Sequence, residues 1–347
     1  MSNNLEKIYY NAINIALNSD YRKIKALNPT HNNLCGGIKI KTWEDAWLNI
    51  KNGFPEIDPE KEFEKIDKAG IKLILSEEDA FPKNLKEMPW PPLAIYIQGS
   101  LESIQSIAIV GTRKATPHGK SLTKQIAKEL SESGIQIISG LAMGVDESAH
   151  GGALEGNGKT IAVLPTGLGN IYPRQNYALS QKIIKSGGAL ISEFHFNYRP
   201  YAASFIQRNR IVSALSIATI VIEAPERSGA LATARFAIEQ NREVLVAPGP
   251  ANHPNYKGSH KLIREGAGLV TCAKDILEDL GIENEKPANL SDQVKENKIT
   301  DEEKIVLEAI NQLGWPISVD KISEITKIQV QKANQIIAFL TIKGIIK

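Results

Sequence analysis

The chain has 347 residues, 42% hydrophobic and 23% charged, with a formal net charge of +2. This composition excludes a disordered chain, and the lack of an apolar run of roughly 18 residues excludes a helical membrane protein; the length points to two or three domains. Cys35 and Cys272 lie far apart and offer neither a disulfide framework nor a metal knuckle, and the opening segment carries no export signal, so a reducing cytoplasm is expected.

Residues 1–85 read as an N-terminal helical domain in which Trp43 and Trp47, four apart on one helical face, are expected to pack into a core. The Pro-rich join from Met88 to Pro92 cannot be helix interior and marks the way into an edge strand over 93–97. From residue 107 short apolar runs alternate with helical stretches, at 107–110, 135–138, 160–164, 188–191, 218–222 and 243–247. Strands covered on both faces by crossover helices have this pattern, which predicts an α/β fold with a doubly wound, mostly parallel, Rossmann-like sheet over 86–281. A polar linker is expected at 282–299. Three helices follow, at 301–312, 319–326 and 329–342, with a short turn between the last two, as in a winged-helix-like domain over 300–347.

Charge is unevenly divided. Residues 107–270 carry 18 Lys and Arg against 11 Asp and Glu, a net of +7, while the flanks together are −5. A basic middle between acidic flanks fits a phosphate-binding core, although chance produces differences of this size too.

In a doubly wound sheet, ligands bind beyond the carboxyl ends of the strands, so the loops after each apolar run carry the candidates. After the first come Gly111, Thr112 and Arg113, with Thr116 as a helix cap and Pro117 behind it. A phosphate could sit at that helix start, with Arg113 as a fork of donors; the plainer reading is a tight turn with a surface arginine. After the second, Gly140 and Gly144 suggest close backbone approach, Asp146 a cap, and His150 a packing or hydrogen-bonding residue rather than a catalytic base. After the third, Tyr172, Arg174, Asn176 and Tyr177 bring an arginine and two tyrosines together, a set able to hold a phosphate and stack a base, or simply to pack. Arg208, Asn209 and Arg210 put two guanidinium groups at the head of a helix, where buried ion pairs are the competing reading. Ser228 and Gly229 open another helix and form a second anion cradle. No G-x-G-x-x-G or P-loop is present, nor any H-E-x-x-H, G-x-S-x-G or paired-cysteine spacing; no cofactor or metal is expected.

Taken in order, IAIVGTRKATPHG, ISGLAMGVDESAHGGAL, TIAVLPTGLGNIYPRQN, IQRNRIVSALS, VIEAPERSGALATARFAIEQNREVLVAPG and KGSHKLIREGA resemble the successive motifs of the DprA (Smf) family over about 69–280. The resemblance implies an extended Rossmann fold that binds single-stranded DNA, forms homodimers and passes the strand to the recombinase RecA during uptake of transforming DNA, without making or breaking a bond. It places phosphate contacts on Gly111, Arg113, Arg174, Arg208 and Arg210; Tyr177 as a stacking partner is inferred from its position. The chain departs from the family pattern at Phe205-Ile206-Gln207 before the R-N-R motif, at Gly258-Ser259-His260, and at Pro165 and Gly169.

Two rivals stand beside this reading. Rossmann-like relatives that cleave nucleotide monophosphates carry a glutamate three residues after the loop threonine, where this chain has Phe236 after Thr233. A duplex-binding regulator would read DNA with the last helix, whose basic residues are only Lys332 and Lys343.

Overall fold

The computed structural model describes residues 2–29, 34–35, 38–282, 301–313 and 318–342. The chain divides into two compact units, Met1–Asn284 and Glu285–Lys347.

The first unit opens with helices α1 (Ser2–Ala16), α2 (Tyr21–Ala26), α3 (Trp43–Ile50) and α4 (Pro59–Lys68), with a two-residue hairpin, Leu34–Cys35 against Ile38–Lys39, between α2 and α3. Asp20, Thr42 and Asp58 cap three of them by accepting from backbone N–H groups of the first turn. Trp43 and Trp47 are buried as expected, and Trp43 meets Tyr10 edge-on with centroids 5.0 Å apart.

These helices are not the separate domain expected over 1–85. Tyr10, Ile13, Trp47 and Ile66 share one hydrophobic core with Leu73, Tyr96, Ala162 and Leu190 of the sheet. The buried Tyr96 hydroxyl donates to Asn11 (2.9 Å) and accepts from Asn14 (3.1 Å), fastening α1 to that face. A single layer of short helices cannot bury its own apolar stripes, and an open sheet face supplies the missing partner.

The sheet elements follow in order: β1 (Ile71–Leu75), α5 (Lys83–Lys86), β2 (Ala94–Gly99), β3 (Ser106–Val110), α6 (Pro117–Glu132), β4 (Gln136–Ser139), α7 (Val145–Glu155) and β5 (Thr160–Val163). Then come α8 (Tyr177–Lys185), β6 (Ala189–Ser192), α9 (Ala202–Ala214), β7 (Ala218–Val221), α10 (Gly229–Glu239), β8 (Glu243–Val246), α11 (Lys257–Arg264), β9 (Gly268–Leu269) and α12 (Ala273–Asp279). Among the described residues these strands form one sheet in the order β9-β8-β7-β3-β4-β5-β6-β2-β1, in which β2 alone runs antiparallel to the others, against both β6 and β1. Strands from β3 to β8 lie where the apolar runs predict them. The strand expected at an edge, β2, is interior, flanked by β6 and β1; the prolines before it lie outside the ladder, leaving both its sides free to pair.

Alternate strand residues face opposite layers. Ile107 and Ile109 join α6, α7 and α12 in one core, while Ala108 and Val110 join α9 and α10 in another. From β3 the chain winds outward through β4, β5 and β6, then returns to place β7 on the other side of β3. The gap beyond β3 and β7 is therefore the topological switch point, where a crevice must open.

The second unit holds α13 (Asp301–Leu313), α14 (Val319–Thr326) and α15 (Val330–Ile342), around Val306, Ile310, Ile322, Ala333 and Ile337. All three coincide with the expected helices, and Lys327 turns the chain after α14 in the left-handed region at φ 59°. The expected linker lies, from residue 283 onward, outside the described residues, as does Lys343. No helix among the described residues is long and apolar enough to cross a membrane.

Candidate nucleic-acid interface

A pocket of about 300 Å³ opens at the switch point, lined by Gly111, Thr112 and Arg113 after β3, by Gly140, Ala142 and Asp146 around the start of α7, and by Phe205, Arg208 and Asn209 of α9. Arg227, Ser228 and Gly229 at the head of α10 complete its rim. Four separate segments thus converge as the fold predicts, and Arg113 and Arg227 stand exposed at the mouth.

Arg208 is 5% exposed and forms the pocket floor. Its Nη1 donates to the carbonyls of Gly140 (2.6 Å) and Val163, tying two loops together, while Nε donates to Asn209 Oδ1 at 3.2 Å. Burial, followed by the opposing pull of Asp146, sets its guanidinium at about 10. Burial likewise raises the Asp146 carboxyl, against the pull of Arg208. Asn209 Nδ2 donates to the Gly229 carbonyl at 3.2 Å, so the amide links α9 to the start of α10.

The loop glycines serve packing more than the ligand approach expected of them. A Cβ at Gly140 would fall on the Arg208 guanidinium, and one at Gly111 would meet Val145 at 2.5 Å. Gly144 caps α7 at φ 87° against the Thr112 carbonyl. Gly229 differs: a Cβ there meets only Asn209, at 4.0 Å, so its face toward the pocket is open. Ser228 caps the same helix by accepting from Ala230 N at 3.2 Å. Of the two anticipated anion cradles, this one is accessible. The other, at the start of α6, is filled by the Glu223 carboxylate, which accepts from Thr116 N at 3.1 Å and from its hydroxyl at 2.5 Å.

Arg174 and Tyr177 lie elsewhere, in a second, larger pocket of about 930 Å³ that also includes Tyr172, Phe196 and Arg199. Tyr177 is 57% exposed and Tyr172 40%. Asn176 does not reach this surface; it is buried and donates to the Leu141 carbonyl at 2.9 Å, joining two loops from beneath. Phe205 lies between the pockets: the Arg113 guanidinium sits 4.6 Å from its ring centroid, and Tyr172 meets it edge-on at 5.6 Å.

Arg210 is placed against the sequence expectation. It is fully buried, pairs with Glu193, and lies 4.4 Å over the Trp90 ring, beyond reach of any ligand in either pocket. Helical geometry explains this: two residues on from Arg208, its side chain leaves α9 about 200° around the axis. His150 is buried, with Nδ1 2.7 Å from Thr160 Oγ1, the packing role expected for it. Sequence reasoning missed Phe205, Arg199 and Arg227 as lining residues. Phe205 stands three residues before Arg208, one helical turn, which was a usable signal; Arg199 had none.

The fold and this pocket define a Rossmann-like α/β protein with an arginine-lined crevice at its switch point. Residues 72–281 match the family model of DNA recombination-mediator protein A, and the chain belongs to that family. Protein Smf of Escherichia coli is 40% identical over 229 residues, 65% of this chain and 61% of that protein, so the match spans about three fifths of this relative's length. The X-ray structure of DNA processing protein A from Streptococcus pneumoniae superposes with a TM-score of 0.61 at 33% identity, covering 69% of this chain and 82% of that one. The Helicobacter pylori protein, described for its single-stranded-DNA binding mode, gives 0.55 at 31% identity over 60% of this chain and 95% of its own.

Proposed function

We propose that this protein binds single-stranded DNA without strong sequence preference and hands the strand to RecA, acting as a recombination mediator and not as an enzyme. The observation that carries the reading is the Arg113–Phe205–Tyr172 contact line, which joins two arginine-bearing pockets into one track. Arg113, Arg227 and the open start of α10 suit one phosphate; Arg174 and Arg199 suit another. Phe205, Tyr172 and Tyr177 offer faces on which unpaired bases stack, an interaction that tolerates any base. A duplex keeps its bases inside and cannot use these faces.

The switch-point pocket contains one carboxylate, Asp146, tied to the Ala142 N–H at 3.3 Å. Phe236 stands where a nucleotide-cleaving relative would need glutamate, which favours a binding role. Handover to RecA, a homodimeric assembly and a cytoplasmic setting, which the motif resemblance implies, are parts of the same proposal.

The test is a pair of fluorescence-anisotropy titrations with a labelled single-stranded oligonucleotide and its duplex, followed by RecA filament assembly on the same strand. Preference for the single strand, with faster RecA assembly in the protein's presence, supports the proposal. Equal or duplex-preferring binding overturns it.

A further inference from the structure

The start of α6 has the sequence of an anion site, yet the anion there is internal. Glu223 is fully buried, and its carboxylate collects four donors: Thr116 N at 3.1 Å, Thr116 Oγ1 at 2.5 Å, Asn255 Nδ2 at 2.8 Å and the Tyr256 hydroxyl at 3.0 Å. Burial alone would raise this carboxyl; the donors from Thr116, Asn255 and Tyr256 outweigh it and hold the group below its ordinary value.

The same residue holds the near end of the loop as well. The Glu223 carbonyl accepts from Thr112 N at 2.7 Å, and Asn255 Nδ2, already on the carboxylate, donates to the Lys114 carbonyl at 3.0 Å. The segment from Thr112 to Thr116 is thus fastened at its start, middle and end to one acidic residue and its partner. Arg113, exposed at the apex, is held over Phe205 by these backbone anchors. Glu223 itself does not line the pocket; it acts on the lining through its bond to Thr112.

We infer that Glu223 is a positioning residue: a built-in anion that occupies the α6 cradle and fixes the 112–116 loop, so that Arg113 is presented to phosphate before the strand arrives. The inference rests on the single-stranded-DNA reading of the pocket. It also assigns the phosphate to the open start of α10, because the α6 start is already neutralised from within.

A double-mutant cycle on the full chain tests it, with affinity for a labelled oligothymidylate as the readout. Glu223→Gln puts an amide donor among donors and is expected to weaken binding roughly tenfold, within the range of coupled neighbours. In the Arg113→Ala background the same change is expected to have almost no effect, because the side chain being positioned is gone. A merely structural role would weaken binding equally in both backgrounds, and that additivity overturns the inference. If Glu223→Gln does not fold, Asn255→Ala removes two of the anchors at a residue that does not line the pocket, and the same cycle applies. Failure of the underlying reading is separable: there the wild type shows no preference for single strands, or Arg113→Ala alone has no effect.

Discussion

The guanidinium of Arg113 lies 4.6 Å from the centre of the Phe205 ring, joining a loop after β3 to the first turn of α9. A cation held over a ring face combines exposed donors for a phosphate with, in Phe205, a half-buried aromatic surface for a base. Phe205 also meets Tyr172 edge-on, so the pair begins a path that leads to Arg174.

Phe205 and Arg113 are therefore expected to fail in different ways. Phe205→Ala removes stacking and should cost about 1–3 kcal/mol of single-strand affinity with little change in salt dependence. Arg113→Ala should flatten the slope of log affinity against log salt by about 0.7, the contribution of one phosphate on a single strand. Anisotropy titrations across a salt series separate the two; a steep slope change in Phe205→Ala contradicts the assignment.

Arg210 should behave as a structural residue. Removing it leaves Glu193 buried and uncompensated, a loss of about 3–5 kcal/mol, whereas replacing both by apolar residues of similar volume should be far milder. Urea unfolding of Arg210→Met, Glu193→Leu and the double variant measures this. A fully stable Arg210→Met would show that the pair is not a coupled unit.

Two glycines of the pocket make opposite predictions. Gly140→Ala drives a methyl group into the Arg208 guanidinium and should destabilise the protein by about 1–3 kcal/mol, through overpacking. Gly229→Ala meets open space at the start of α10, so the fold should hold or gain slightly while single-strand affinity falls, because the methyl group stands where a phosphate approaches. Thermal melts paired with titrations check both; unchanged affinity in Gly229→Ala would move the phosphate away from α10.

Acid should destabilise the first unit well above the carboxylate range. Burial, then the Arg208 charge, holds His150 down at about 3, and burial holds His195 at about 4, both below the 6.5 of a free imidazole. Their native values are depressed, so the stability they contribute is complete above pH 6.5 and is lost as pH falls toward 4 and then 3. Between those limits unfolding takes up protons, at up to about 1.4 kcal/mol per pH unit for each histidine. Urea midpoints at pH 7 and pH 5 test this: a clear drop is expected, and identical midpoints contradict it.

The sheet was legible because its strands are apolar on both faces, a pattern with few alternative explanations. β1 was not, since IKLIL is a short apolar run broken by one lysine and lies among helices, where a helix segment fits it as well. The domain boundary near residue 85 failed for a related reason: whether Trp43 and Trp47 pack on their own helices or on a distant strand depends on contacts that sequence spacing does not encode. Within the site, residue types were readable and their direction was not. Arg208 and Arg210 are near-identical in sequence context, yet one floors the pocket and the other is buried against Glu193 and Trp90. Glu223 gave no sign of its role, because its donors, Thr116 and Asn255, come from loops 107 and 32 residues away.

The central claim, that one strand crosses both pockets by way of Phe205, is tested most directly by a salt series of single-strand titrations with Arg113→Ala, Arg174→Ala and the double variant. If both arginines hold phosphates of the same strand, each single variant flattens the salt slope by about 0.7 and the double by about twice that. A double variant no flatter than Arg113→Ala alone would contradict the shared track and leave Arg174 and its pocket outside the DNA path.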